Sequence, residues 1–487
     1  MPLPSVVALD ILFSMPAVPS HAHLLQDCQQ LYELLVGCQQ LSIEKHSTQI
    51  VSLSLEIPPI DPLAALEVIG CRSQLYFYFE KGGKSEALAA VGAALSFTTF
   101  GTGRFAQVRD FIRSCQNRTF SLGALHLPFA GPHFFCSFTF FPDVEASEKD
   151  FPAATVFLPR WQVARRKNSC VLVANLALAP DTNLETLSRH TWLLLQKLSL
   201  ANYRLTDAAA NTEKIYKNFL LNDSDKFQTA VRSALDSIQA NHYKKIVLAS
   251  TIDALAETRF QVIPSLHNLR RLHPDCYIFG TGNGKGKNFI GASPERLVHI
   301  HNQVLVTDAL AGSAPRGKTA AEDKEIGERL LKDEKERHEH QIVIDFIVER
   351  LSHLGLVPQL SLPARLLKLS NIQHLWTPII AQVPTDVSIL EIVAELHPTP
   401  AVAGFPREIS CQEIRRYETF DRGLYAAPLG WIDRFGNGEF IVGIRSATIE
   451  GERARLYAGA GIVEGSIPEK ELAEVKLKLQ ALLKALV

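Results

Sequence analysis

Two lysines, three glutamates and an arginine stand where acid–base or anion-binding chemistry is possible. Lys245 opens the apolar run Lys244-Lys245-Ile246-Val247-Leu248-Ala249-Ser250. Such a lysine either snorkels at a strand end or, partly desolvated, has a pKa low enough to act as a base. Glu295 sits in GASPERL, where a strand enters a Ser-Pro turn, and a second small-residue cluster, AGSAPRG, follows the strand-like run 297–306. An acid beside a turn, facing a loop of Gly, Ser and Arg, can hold a small anion; the same stretch also reads as an ordinary β-hairpin. Glu339, within His338-Glu339-His340, lies at the border of a helix's apolar face, as a solvated rim residue or a ligand for a hard cation. Position 342 is Ile, so HExxH is absent, and histidines two apart point to different helix faces. Arg445 lies among Ile441, Gly443 and Ala447 on an expected strand, and an arginine on so apolar a face needs an anionic partner. The next strand, Ala458-Gly459-Ala460-Gly461, has no bulky side chains, so a ligand or another backbone comes close there. Glu474 and Lys478 are an i,i+4 pair, which spacing alone reads as a surface ion pair.

These residues need a scaffold. Residues 24–35 carry apolar side chains at helical spacing, with Gly37 as a stop, and 51–57 alternates as a strand. Further strands are expected over 74–79, 134–141, 154–158 and 170–178, and helices over 85–95 and 105–115. The polar stretch 180–225, with Asn202, Asn211 and Asn222, reads as a hinge between a first half, 1–220, and a second, 221–487. In the second half, 226–240 places Phe227, Val231, Leu235 and Ile238 on one helix face, and one long helix is expected over 321–354. GTGNGKGK at 280–287 fits neither phosphate-loop pattern and reads as a hairpin loop. The Pro-rich but apolar loop 396–406 predicts burial. A meander is expected over 429–432, 439–449 and 455–463, followed by a helix over 468–486.

With 487 residues the chain exceeds a usual single core, so two subdomains or one large layered domain are expected. A net charge of −1 gives no basic footprint for nucleic acid or an anionic membrane, which favours a small-molecule partner. Eight cysteines without a CxxC pair carry no zinc or redox signature. No Lys or Arg precedes Lys45, and no run approaches the roughly 18–20 apolar residues of a membrane span. A soluble, cytoplasmic protein with reduced cysteines is the expectation.

Taken in order, KIVLA, SPERL, ALAGSAPRG, LLKDEKERHEH, QHL, HPTPAVAGFP, FDRGLYAAPLGW, GNGEFIVGIRSATI and YAGAGIVEGS resemble the chorismate-utilising enzymes, the family of anthranilate, aminodeoxychorismate, isochorismate and salicylate synthases. The resemblance covers residues 220–487; more loosely, YFYFE and VFLPRWQ resemble the N-terminal half of the menaquinone-type isochorismate synthases. It implies a mixed α/β fold of two large packed antiparallel sheets with helices outside. It implies Mg²⁺ held by Glu339 and Glu474, in place of the rim and ion-pair readings, with chorismate as substrate. Arg445 and Lys478 then meet substrate carboxylate, Gly312, Ser313 and Gly459 let backbone approach the ligand, and His374 orients the ring.

Three positions discriminate within the family. Lys245 stands where ammonia-using members carry Gln, and resembles the base that activates water. Ala311 occupies the slot of the nucleophilic lysine of PIKGT motifs, so no covalent intermediate is expected. Ala401 replaces the Thr of salicylate and anthranilate synthases and resembles the isochorismate synthases. The expected activity is Mg²⁺-dependent, reversible isomerisation of chorismate to isochorismate, with Lys245 as base and Glu295 as acid, feeding menaquinone or phylloquinone synthesis. A monomer without a glutamine amidotransferase subunit is expected. The rivals are a salicylate synthase and a catalytically inactive relative. Ser250, Asp333 and Glu336 depart from the family motifs KxVLAR and LLxSxKD, and are expected to alter only residues standing behind the site.

Overall fold

The computed structural model describes residues 27–71, 73–82, 86–142, 151–199, 216–221, 224–370 and 372–486. Asn202, Asn211 and Asn222 of the expected hinge lie outside these. The strands belong to two layers that share one strand, Ala154–Arg166. The first layer runs from Thr119–Gly123 through Gln49–Ile57, Ser169–Leu178, Ala154–Arg166, Glu86–Thr99 and Leu75–Lys81. It continues through Tyr277–Asn283, Lys287–Ser293, Ser446–Glu450, Arg453–Ile462, Lys245–Ala256 and Tyr216–Leu221. The second branches from Ala154–Arg166 through His133–Phe138, Pro428–Asp433, Gly438–Val442, Arg296–His301, Val304–Pro315 and Ile372–Gln382. Pairing is antiparallel except between Gln49–Ile57 and Thr119–Gly123. Aromatic side chains join the inner faces, as where Phe77 meets Phe135 with ring centroids 5.2 Å apart. Strands from both sides of residue 220 are hydrogen-bonded neighbours in each layer: Leu75–Lys81 with Tyr277–Asn283, and His133–Phe138 with Pro428–Asp433.

Two crossings between the layers matter for the site. The chain leaves the first layer after Ser293 and enters the second at Arg296, so Pro294 and Glu295 make the crossing. It returns between Val442 and Ser446, through Gly443, Ile444 and Arg445. The two crossings are laced together: Val442 N donates to Glu295 O (3.1 Å), Ala292 N to Arg445 O (3.1 Å) and Ser293 Oγ to Val442 O (2.6 Å). Strands that change sheets at such corners hold their side chains by backbone bonds on both sides, which makes them rigid mounts.

The structure corrects four local expectations. Residues 85–95 are not helical: Glu86–Thr99 is a strand, hydrogen-bonded to Leu75–Lys81 on one edge and Ala154–Arg166 on the other. Its alanines favour a helix, but partners on both edges and burial of both faces over 87–91 decide for a strand. The helix Cys28–Glu44 runs through Gly37, held by the buried Leu31, Leu35, Cys38 and Leu41. The expected single helix over 321–354 is two, Ala320–Lys332 and Glu334–His353, broken at Asp333. Asp333 ends the first and caps the second, its Oδ1 accepting from Glu336 N at 3.0 Å. The expected strand 439–449 is also two, because the chain changes layer at Arg445, whose φ is +49°. Eleven helices flank the strands among the described residues, and none of them is long and apolar enough to cross a membrane. All eight cysteines carry free thiols.

Candidate active site

A cavity of about 270 Å³ opens beside the two crossings. Ten of the eleven residues singled out from the sequence line it: Glu295, Gly312, Ser313, Glu339, His374, Ala401, Arg445, Gly459, Glu474 and Lys478. Lys245 does not line it; it lies just behind the wall, fully buried. Its strand, Lys245–Ala256, pairs along Arg453–Ile462, with Gly461 opposite Val247 and Gly459 opposite Ala249. A Cβ on Gly461 would stand 2.8 Å from Glu339 Oε1 and 3.3 Å from Lys245 Cε, so only glycine leaves that channel open. Through it Lys245 Nζ comes to 2.7 Å from Glu339 Oε1. Nζ finds no well-aligned hydrogen bond among the described residues, an orphaned buried donor of the kind that a ligand or water completes.

Glu295 is buried at the first crossing, its backbone N–H donating to Ser293 Oγ at 3.2 Å. Burial pushes its carboxyl up to about 7; Lys245 opposes this and Asp308 adds to it. A carboxyl group there is part protonated at neutral pH and can donate a proton.

Opposite lies a β-bulge at Gly312, between Ala311 and Ser313 of Val304–Pro315. Gly312 has φ +74°, and a Cβ there would be 3.1 Å from Glu336 O. The bulge turns Ser313 N toward Glu336 Oε2 (2.9 Å), and Ser313 Oγ lies 2.9 Å from His374 Nδ1. Burial, then Arg445 and Lys478, hold His374 well below its usual pKa, so its ring is neutral. Glu336, expected to stand behind the site, lines the cavity, because one helical turn separates it from Glu339 on the same face.

Glu471 lines it too, one turn from Glu474 on the helix Pro468–Leu483. Burial raises the pKa of both Glu336 and Glu471, and their like-charged neighbours raise it further: Glu339 beside Glu336, Glu474 then Glu339 beside Glu471. Burial also works upward on Glu474, but Lys478, at 2.7 Å, outweighs it and leaves the carboxyl below the ordinary range. Lys478 donates as well to Gly459 O (2.9 Å), so the pair is a cavity wall and not a surface bridge. Among the described residues no three acidic, histidine or cysteine side chains converge as a ready-made metal cluster. The donor set nonetheless fits Mg²⁺, which takes one or two carboxylates and completes its shell with water and substrate. Glu339 repels Glu336, and Glu474 and Glu339 repel Glu471, while Lys335, 3.5 Å from Glu336 and 3.8 Å from Glu471, offsets part of that charge.

The profile of the chorismate binding enzyme family matches residues 35–487. The chain belongs to that family. It is 34% identical over 440 residues to the salicylate biosynthesis isochorismate synthase of Pseudomonas aeruginosa, covering 90% of each chain. It is 35% identical over 361 residues to isochorismate synthase MenF of Bacillus subtilis, covering 73% of this chain and 75% of the other. Among solved structures, the menaquinone-specific isochorismate synthase of Escherichia coli superposes with a TM-score of 0.74 at 26% identity, over 93% of this chain and 99% of the other. Anthranilate synthase component I of Streptococcus pneumoniae shares the fold, with a TM-score of 0.66 at 21% identity, over 83% of this chain and 93% of the other. The two-layered α/β architecture is thus that of the anthranilate synthase component I-like enzymes.

Sequence reasoning passed over Glu336, Lys335, Lys470 and Glu471 as wall residues. The signal was present as two Glu-x-x-Glu pairs, 336/339 and 471/474, each with its acids on one helix face. Tyr425 lines the cavity from the loop carrying FDRGLYAAPLGW, and Cys276, which touches Arg445 from outside the cavity wall, left no such signal.

Proposed function

We propose that this chain is an isochorismate synthase. The observation that carries the reading is a pair on the walls of one cavity. Glu295 is a buried carboxyl held part protonated, and Arg445 is a guanidinium that, among the described residues, pairs with no carboxylate. An acid for a leaving hydroxyl and a free cation for a carboxylate suit a ring that carries both.

In this reading Lys245 takes a proton from water as that water attacks C2 of chorismate. The ring double bonds shift, the C4–oxygen bond breaks, and Glu295 gives its proton to the departing hydroxyl, which leaves as water. One water is consumed and one released, so the step is an isomerisation and runs in both directions. Glu295 ends as carboxylate and Lys245 as ammonium, and each resets by exchange with solvent. Arg445 and Lys478 bind substrate carboxylate, His374 orients the ring, and the Gly312 bulge and Gly459 bring backbone close. Glu339 and Glu474 would hold Mg²⁺, which supplies positive charge for the ring carboxylate and offsets the two glutamates. Ala401, on the wall, replaces a hydroxyl-bearing residue, and the reading therefore stops at isochorismate without loss of pyruvate.

We further assign residues 221–487 as the catalytic module, with 1–220 completing its sheets; every residue of the cavity wall lies between Val247 and Lys478. Quinone synthesis as the consuming pathway draws support from the likeness to the menaquinone-specific enzyme; the Pseudomonas relative, named for salicylate biosynthesis, marks the alternative destination. A cytoplasmic monomer needing no amidotransferase subunit completes the proposal, since water and not ammonia is the nucleophile.

The test is product analysis with chorismate and Mg²⁺, with and without ammonium. A chorismate–isochorismate mixture, free of pyruvate and indifferent to ammonium, is expected. Salicylate with pyruvate would move the chain to the lyase-type synthases, and ammonium-dependent anthranilate would remove Lys245 from its role.

A further inference from the structure

Arg445 is an unusual arginine in this wall. The lysines nearest the other acids are paired: Lys245 with Glu339 at 2.7 Å, Lys478 with Glu474 at 2.7 Å. Arg445 instead contacts neutral groups. Its Nη2 lies 3.3 Å from His374 Nε2 and its Nη1 4.0 Å from Cys276 Sγ. A second ring, the buried His273, shares with it the small recess behind the cavity. The arginine's backbone is fixed at the second crossing, with φ +49° and its carbonyl bonded to Ala292 N. A non-glycine residue persists in that region only where its surroundings over-determine it.

We propose that Cys276 and His374 form a neutral cradle for Arg445, positioning residues that aim the guanidinium without discharging it, so that its charge meets the substrate's carboxylate. The inference rests on the reading that Arg445 receives that carboxylate. The titratable groups that face Arg445 are Cys276, His374, His273, Glu474 and Lys478. Glu474 is taken by Lys478. Burial pushes the Cys276 thiol up to about 11, and burial followed by Arg445 itself holds His273 down to about 4 and His374 well below its usual value. A carboxylate in place of either contact would pair with Arg445 and compete with substrate.

The cradle also sets a hydrogen-bond direction. A guanidinium only donates, so the His374 Nε2 that faces it is the lone-pair nitrogen and the ring proton is on Nδ1. On that side His374 meets Ser313 Oγ, 2.9 Å away, and the Gly312 backbone, so the ring links Arg445 to the bulge. Cys276 is placed by the strand boundary before Tyr277, with Gly82 N donating to its carbonyl at 3.1 Å.

Two variants of one shape and different charge test this: Cys276→Asn and Cys276→Asp, with Cys276→Ser as the conservative control. C276S and C276N should keep KM for chorismate within about threefold of the wild type, while C276D raises it on the order of tenfold or more and changes kcat less. Equal KM values for C276N and C276D would overturn the cradle, because packing alone does not distinguish them. If C276D does not fold, His374→Gln against His374→Glu makes the same comparison from the other side. Chorismate binding by calorimetry separates this inference from the reaction it rests on. A wild type that does not turn over, with C276D binding about tenfold more weakly than C276N, sinks the reaction and keeps the cradle; equal binding sinks the cradle.

Discussion

Two lysine–glutamate pairs are buried in this protein at nearly the same distance, and they are built for different ends. Lys245 and Glu339 stand 2.7 Å apart behind the cavity wall; Lys81 and Glu439 stand 2.8 Å apart between the two sheets. The second pair is closed. Glu439 Oε1 accepts from both Lys81 and Tyr277 OH (2.8 Å), and Lys81 lies over the Tyr277 ring. Burial pushes Glu439 up, but Lys81, His299 and Tyr277 together bring it below the ordinary carboxylate range. The first pair is open. Glu339 faces the cavity and Lys245 Nζ lacks a well-aligned bond. A closed pair ties strands together; an open one is an acid–base couple waiting for a third group. Distance alone does not tell them apart, and the unsatisfied valence does.

The largest effects should separate the pairs. Lys245→Ala should lower kcat on the order of 10³-fold, in the range for loss of a general base. Its melting temperature should hardly move, since Glu339 can take up water from the cavity. Lys81→Ala should do the reverse: a destabilisation of roughly 3–5 kcal/mol, because it strands a buried Glu439, with kcat near normal below the melting range. Denaturant melts and steady-state kinetics on both variants decide it; a K81A protein that is folded but inactive would break the comparison.

Glu295 comes next, and pH reads it. Its acid form is the one proposed to work, so kcat should fall as pH rises through about 7. Glu295→Gln should cost on the order of 10²–10⁴ in kcat and remove that limb. Stability gives an independent check. The folded pKa, about 7, is above the ordinary 4.5, so the native state binds this proton more tightly than the unfolded chain. The stabilisation is present below the unfolded value and is lost as pH rises through the folded one. At pH 8, E295Q should therefore be more stable than the wild type, by roughly 3 kcal/mol at most, and the gap should shrink toward pH 4.5. A pH-independent difference would place the effect in packing.

A smaller perturbation tests the open pair without touching either charge. Gly461→Ala puts a methyl group 2.8 Å from Glu339 Oε1 and 3.3 Å from Lys245 Cε. Gly461 has ordinary strand geometry, so backbone strain is not added. The pair must shift, and kcat should drop about 10- to 100-fold with a stability change under about 2 kcal/mol. Unchanged turnover would mean that the 2.7 Å approach is incidental to catalysis.

How much of this was legible beforehand follows from the kind of information each residue carries. The Glu474–Lys478 spacing, the bulk-free Gly459–Gly461 strand and the apolar loop before Phe405 are local patterns, and their order along the chain resembles one family. The crossings were not legible. Nothing in IVGIRSA announces that the chain changes sheets at Arg445, because the β-branched residues on either side suit one strand as well as two. The same ambiguity misread 85–95, where alanine-rich composition outvoted partners that lie elsewhere in sequence. The break at Asp333 hid for a related reason: both flanks are good helix, and only the cap marks the boundary.

That cap yields the last and smallest prediction. Asp333 stands where the family motif has serine, and either residue caps a helix by accepting from the N–H three positions on, as Asp333 Oδ1 does from Glu336 N. Asp333→Ser should be almost silent, within about 0.5 kcal/mol and twofold in kcat. Asp333→Ala should cost about 1 kcal/mol, and the cost falls on the first turn of Glu334–His353, which carries Glu336 and Glu339 into the cavity. The two pairs should then part again. Fraying of that turn loosens Glu339 from Lys245, so D333A lowers kcat by more than its stability loss would suggest, about three- to tenfold. The Lys81–Glu439 pair sits on strands and feels nothing. Hydrogen exchange confined to the amides of 334–339 in D333A, with strands 75–81 and 438–442 protected as in the wild type, would locate the effect; exchange spread through both would mean that the two pairs share one cooperative unit after all.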